Sequence, residues 1–190
     1  MILTGQEDLR GVKTIRGIKA AFESLICEKD YEKITVKELC DRARINKKTF
    51  YHYYEDLNAL LSEMQAELSA GFIDRVKGFA LPEELDKVNR EFFLYAAEQG
   101  LAYEKITCGG TYHEIRDQMT DQVNDAGWSR SGKYQSLSDF EKKLLMDFVN
   151  SAVLGAYRQW VEEGKTLPME EVIGLTNRIV LGGVNGFFRQ

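Results

Sequence analysis

Between residues 12 and 28 the apolar positions Ile15, Ile18, Phe22, Leu25 and Ile26 recur at helical spacing, which predicts an amphipathic first helix. Asp30-Tyr31-Glu32-Lys33 reads as a connector. Thr35 with Glu38 three residues on is a capping box, and it opens a short helix that buries Val36, Leu39, Cys40 and Ala43. Ala43-Arg44-Ile45 breaks this helix, and Asn46 suits the N-cap of another short one ending near Tyr54. Asp56 can cap the next helix, where Leu57, Leu61, Met64, Leu68 and Phe72 form one stripe.

The remainder is helical too. Pro82 suits the first turn of a helix carrying Leu85, Val88, Phe92 and Ala96. Gly100 and Gly109-Gly110 bracket a short piece, and Tyr112, Ile115, Met119, Val123 and Ala126 share a face of the following helix. Residues 127–136 read as a loop. Ser138 with Glu141 opens a long helix to about Gly164, and Pro168 starts a last one running to about Phe187. No strand alternation of useful length occurs, so the expected fold class is all-α. The last two helices are more apolar than a single stripe requires, and the final one holds Gly182, Gly183 and Gly186 in its interior. Helix-interior glycine costs about 0.5–1 kcal/mol relative to alanine, so the cluster needs a packing reason. Two readings stand side by side: a buried core hairpin, or a helix pair that meets its own copy across a two-fold axis.

Composition narrows the function. The chain has 190 residues, 44% apolar and 29% charged, an ordinary globular balance. No apolar run reaches the ~18 residues of a membrane span. The start, MILTGQEDLR, lacks the basic and then apolar blocks of a secretory signal. Cys27, Cys40 and Cys108 are odd in number and far apart, which fits reduced thiols and a cytoplasmic location. Net charge is −5, yet residues 1–55 carry 11 basic against 9 acidic side chains, a local +2 in an acidic protein. There is no glycine-rich phosphate loop, no paired histidine motif and no cysteine with an obvious base. The expectation is therefore no catalytic set, no metal site, no cofactor and no enzymatic activity.

The informative stretch is Thr35–Tyr54, TVKELCDRARINKKTFYHYY. Two short helices joined by a tight break form the helix-turn-helix pattern, whose second helix enters the major groove of DNA. Leu39, Ala43, Ile45, Phe50 and Tyr53 or Tyr54 would pack inward. Lys47 and Lys48 begin the second helix, where helix-end amides already favour an anion, and Thr49, Tyr51 and His52 add donors for phosphate or base edges. Singly, each is unremarkable: a solvated lysine pair, core aromatics, a helix histidine. The combination within twenty residues carries the reading.

From about Thr14 to Leu61 the sequence resembles the N-terminal domain of TetR/AcrR-type bacterial transcriptional regulators, on the first helix, Thr35-Val36, Ala43-Arg44-Ile45 and Asn46–Tyr54, with Asp56 and Leu60-Leu61 following. Arg44 stands where the family usually has glycine, and at positive φ it would cost roughly 1–2 kcal/mol. Leu57 stands where a basic residue is frequent, and Tyr54 where phenylalanine usually ends the aromatic run. The resemblance implies an N-terminal three-helix DNA-binding domain over residues 1–55 and a helical bundle for ligand binding and dimerisation over 56–190. It implies a homodimer on a palindromic double-stranded operator, with DNA contacts from Thr35, Lys37, Arg44, Asn46, Lys47, Lys48, Thr49, Tyr51, His52 and Tyr53. The dimer interface would draw on Phe148, Ala152, Ala156, Trp160, Leu175, Ile179, Gly183 and Gly186. An unknown small-molecule effector would sit among Phe92, Phe93, Tyr95, Tyr103, Tyr112, His113 and Trp128, although ordinary core packing explains any one of them better singly. The function implied is a repressor modulated by that effector, the alternative being a co-regulator that acts through a protein partner.

Overall fold

The computed structural model describes residues 9–108 and 127–189, and every regular element among them is helical. These are α1 (Leu9–Glu28), a 3-10 turn (Tyr31–Lys33), α2 (Val36–Ala43), α3 (Lys47–Tyr53), α4 (Leu57–Val76), α5 (Leu85–Gln99), α6 (Leu101–Cys108), α7 (Gly132–Gln135), α8 (Asp139–Glu162) and α9 (Met169–Phe188). The all-α class follows. The chain divides into two compact units that meet at Leu68/Ser69, inside α4, rather than at the start of that helix. The physical reason is that Leu60, Leu61 and Met64 of α4 are buried, so its first turns complete the N-terminal core.

The N-terminal unit is organised by its caps. Thr35 Oγ1 accepts from the Glu38 N–H at 3.2 Å, Asn46 Oδ1 from the Thr49 N–H at 2.8 Å, and Asp56 Oδ1 from the Ala59 N–H at 2.8 Å. Each satisfies an amide that a helix start leaves without a partner. Ile15, Ile18, Phe22, Leu25 and Ile26 of α1 are buried with Leu39 of α2, Phe50 of α3 and Leu60-Leu61 of α4. Two polar clamps brace this core. Arg42 donates through both guanidinium nitrogens to Glu28, holding that carboxyl below the usual carboxylate range. Lys19 pairs with Glu63 at 3.0 Å and Glu67 at 2.6 Å, and the Tyr54 hydroxyl donates to Glu63 at 3.3 Å. Burial, with Glu67 nearby, pushes the Tyr54 phenol up to about 12.

The second unit holds an aromatic core. Phe92, Phe93, Tyr157 and Trp160 contact one another edge-on or tilted, with ring centroids 5.5–6.3 Å apart. Phe72 reaches Phe92 and Tyr95, and Tyr95 meets Tyr103 edge-on at 6.3 Å. Polar contacts lock α5 to α9: Asn89 donates to Asn177 at 2.9 Å, and Arg90 binds Glu170 through two nitrogens. The Tyr157 side chain is 0% exposed, and its hydroxyl has no hydrogen-bond partner among the described residues. A buried donor left unmade costs about 1–3 kcal/mol. Tyr157→Phe is therefore expected to stabilise the protein by about 1 kcal/mol, read as a higher denaturation midpoint at unchanged slope. A lower midpoint would show that the hydroxyl has a role in the fold.

Two local expectations are corrected. Pro82 is not in the first turn of α5: Glu84 closes a turn back onto Ala80, with its N–H on the Ala80 carbonyl at 2.7 Å and its carboxylate on the Ala80 N–H at 2.8 Å. The helix then starts at Leu85. Residues 127–136 are not wholly loop, because Ser131 caps the single turn α7 and the buried Trp128 packs on Tyr134 at 5.5 Å.

Candidate nucleic-acid interface

The α2–α3 segment turns on one residue. Arg44 closes α2 in the left-handed conformation, φ 55° and ψ 43°, and the Ile45 N–H returns to the Cys40 carbonyl at 3.0 Å. Left-handed backbone at a residue with a Cβ costs roughly 1–2 kcal/mol, so the sharp turn is made here at an energetic cost that glycine would avoid. Its guanidinium is exposed and makes no ion pair among the described residues. Asn46 then starts α3 at a fixed angle.

That angle sorts the residues of α3. Phe50 is 0% exposed and lies against Tyr54 with ring centroids 5.9 Å apart, so it pins the helix to the core. Lys47, Lys48, Tyr51 and His52 face solvent, spaced as one helical face, and Tyr51 is 56% exposed despite its size. Thr49 and Tyr53 are half-buried at the edge of this face, and Asn46 is exposed at its start. Thr35 and Lys37 are exposed on α2. All ten residues expected at DNA thus lie in one unit at full or partial exposure. Neither Lys37, Arg44, Lys47 nor Lys48 is paired with a carboxylate among the described residues, whereas Arg42, basic by sequence, is taken by Glu28. Four exposed cations without a carboxylate partner among the described residues can neutralise phosphates; a buried or paired set could not.

A furrow extends this face onto α1. It consists of two hollows that share Arg10, Thr14 and Ile45: Arg44, Asn46, Thr49, His52 and Tyr53 line one, and Lys13, Gly17 and Ala43 the other. No carboxylate among the described residues is in the lining of either hollow. Lys13 lies outside the expected DNA set; it belongs with Arg10 and Arg16 to the positions of α1 away from its buried stripe.

The second unit places the other expected residues as follows. Phe93, Tyr95, Tyr103 and Trp128 are buried and Phe92 half-buried, within the aromatic contacts already described; Tyr112 and His113 lie outside the described residues. Of the expected interface set, Ile179 is 65% exposed, Leu175 and Phe148 are exposed, Gly183 and Gly186 are exposed, and Ala152 and Ala156 are half-buried. Trp160 is corrected: it is buried against Phe93 and Tyr157 and donates its indole N–H to the Leu167 carbonyl at 2.9 Å, so it belongs to the core. Gly183 also has an internal reason, since a Cβ there would come within 2.4 Å of the Phe148 ring. Phe148 lies on that gap, which joins the exposed Phe140, Leu144 and Phe148 of α8 to the exposed Leu175 and Ile179 of α9.

Comparison with known proteins adds to this geometry. Residues 18–64 match the pattern of bacterial regulatory proteins of the tetR family. The chain is 28% identical over 171 residues to the HTH-type transcriptional regulator YxbF of Bacillus subtilis (strain 168), which covers 87% of this chain and 44% of that protein. The chain thus spans less than half the length of that relative. Among solved structures it is similar to a TetR transcriptional regulator from Streptococcus agalactiae 2603V, at 21% identity over 90% of this chain and 95% of that one, with a TM-score of 0.66. It is also similar to the transcriptional regulator FadR from Bacillus subtilis, solved in complex with stearoyl-CoA, at 17% identity over 87% and 95% of the two chains, with a TM-score of 0.60.

Proposed function

We propose that the chain is a TetR-family transcriptional regulator, a DNA-binding protein rather than an enzyme, which works as a homodimer on a palindromic operator, repressing until a small molecule releases it. The observation that carries the DNA-binding half is the division of α3, with Phe50 wholly buried and Lys47, Lys48, Tyr51 and His52 outward. Such a helix fits the major groove, with Lys47, Lys48 and Thr49 nearest the bases and Tyr51, His52 and Tyr53 against the backbone. Thr35, Lys37, Arg44 and Asn46 flank it at phosphate. Leu57, where a cation is frequent in the family, adds no phosphate contact.

One head with so few cations binds weakly at physiological salt, because the affinity comes largely from released counterions. Two heads on one dimer make the second contact effectively intramolecular. The apolar face of α8 and α9 supports the dimer: Phe140, Leu144, Leu175 and Ile179 in water are costly to leave uncovered. The FadR structure with stearoyl-CoA supports a small-molecule effector for the second unit. Domain organisation follows the same division, a DNA-reading domain ahead of an effector and dimerisation domain. The membrane is not a partner in this reading, and no helix among the described residues is long and apolar enough to cross one.

Selection of bound duplexes from a random library tests the proposal. An enriched inverted repeat is the expected result; the absence of any enriched sequence would overturn operator binding and favour a co-regulator that acts through a protein partner.

A further inference from the structure

We propose that the Tyr157 hydroxyl is the hydrogen-bond anchor of the effector, and that the effector is an uncharged, apolar molecule presenting one acceptor oxygen, of the ketone or ester class. The inference rests on the effector-binding reading above and names the chemistry of its ligand. Three observations carry it. Tyr157 is 0% exposed, and its hydroxyl has no hydrogen-bond partner among the described residues. Its ring is packed against Phe92, Phe93 and Trp160, with centroids 5.5, 5.8 and 6.1 Å away, so the hydroxyl is held in one direction. The polar groups of α6 that act on it are otherwise engaged or weak: Glu104 is bound by Lys165, the Tyr103 hydroxyl by Thr107, and Cys108 offers only a thiol.

The first observation says what the ligand must bring. A buried donor left unmade is a penalty that phenylalanine at the same place would avoid, so the hydroxyl is kept for a partner that arrives. Burial, with Glu104 nearby, holds this phenol far above its ordinary range, so it stays protonated and remains a donor. The ligand therefore supplies an acceptor. No cation is among the groups that act on the hydroxyl, and Glu104, the one carboxylate there, already has Lys165. An anionic acceptor would lose its water at this place without a counter-charge, so the acceptor is uncharged. The rings packed around Tyr157 are apolar, and they suit an apolar body for the rest of the molecule. Because the hydroxyl is covered, the ligand enters by parting the short α6 from α8.

The test uses the full chain without DNA and three probes of similar shape: benzophenone, diphenylmethane, which lacks the acceptor, and para-benzoylbenzoate, which adds a negative charge. Quenching of tryptophan fluorescence reads binding, since Trp160 touches the Tyr157 ring. The wild type is expected to bind benzophenone about tenfold more tightly than diphenylmethane, the worth of one hydrogen bond, and more tightly than the anion. In Tyr157→Phe that preference should vanish while diphenylmethane binds as before, which shows the surroundings intact. The carbonyl stretch of bound benzophenone, lowered by the hydrogen bond in the wild type, should return in the variant to its position in an apolar solvent. Equal binding of benzophenone and diphenylmethane by the wild type, binding of neither up to their solubility, tighter binding of the anion, or a preference that survives in Tyr157→Phe would each overturn the inference. Operator selection is measured separately, so a wild type that selects no repeat sinks the operator reading alone, and equal probe binding by a protein that does select one sinks this inference alone.

Discussion

Replacing Lys47 and Lys48 together by alanine is expected to reduce operator affinity by on the order of 10²–10³-fold at physiological salt while leaving the fold and the dimer intact. The argument begins with their position. Both side chains are exposed in the first turn of α3 and neither is paired with a carboxylate among the described residues, so their removal leaves no buried charge behind. A dimer loses four cations at once, and each phosphate contact is worth roughly one unit of the salt slope. The helix itself is held by Phe50 and by the Asn46 cap, neither of which the change touches. Fluorescence anisotropy on the selected repeat, with circular dichroism as the control, gives the answer. Affinity within threefold of the wild type would mean that α3 does not face DNA.

Ile179→Glu is expected to convert the proposed dimer to monomers at micromolar concentration, weakening self-association at least 100-fold. Ile179 is 65% exposed, so the folded subunit loses little by the change and helical content should be retained. Across a two-fold axis the substitution places a like pair of carboxylates in one apolar contact, and desolvating them without partners opposes association. The neighbouring Phe148, seated over Gly183, continues the same face, and Gly183→Leu should act in the same direction by displacing that ring. Light scattering reads the mass directly. A wild-type mass of two subunits that survives Ile179→Glu would place the interface elsewhere, and loss of the dimer should carry the operator affinity down with it, since the second head then binds as an independent molecule.

The two variants act on different units of the chain, and their effects on DNA should differ in kind. The lysine pair contributes charge, so its loss is felt most at low salt and fades as salt rises. The interface residue contributes linkage, so its loss is felt as a steep dependence on protein concentration. The distinction allows the two halves of the proposed function to fail separately.

Much of this was legible in the chain itself because its cues are local. Thr35, Asn46, Asp56 and Ser138 announce helix starts by the hydrogen bond each side chain makes to an amide three residues on, and all four do so. Ile18 and Phe22 announce the buried stripe of α1 by spacing alone. The motif Asn46–Tyr54 placed the reading helix, since alternation of charge and aromatic rings within two helical turns has few other uses.

What local cues could not supply was pairing between distant positions. Arg42 counts as a free cation by sequence, yet Glu28, fourteen residues earlier, removes it from the DNA face. Spacing alone groups Trp160 with Phe148, Ala152 and Ala156, although the packing of Phe93 and Tyr157 turns it inward. The sequence by itself determined the helices, their caps and the chemistry of the reading helix, because these depend on contacts within a few residues. Only the tertiary structure decided which charges remain free and which apolar side chains remain uncovered, because both depend on where remote segments come to rest.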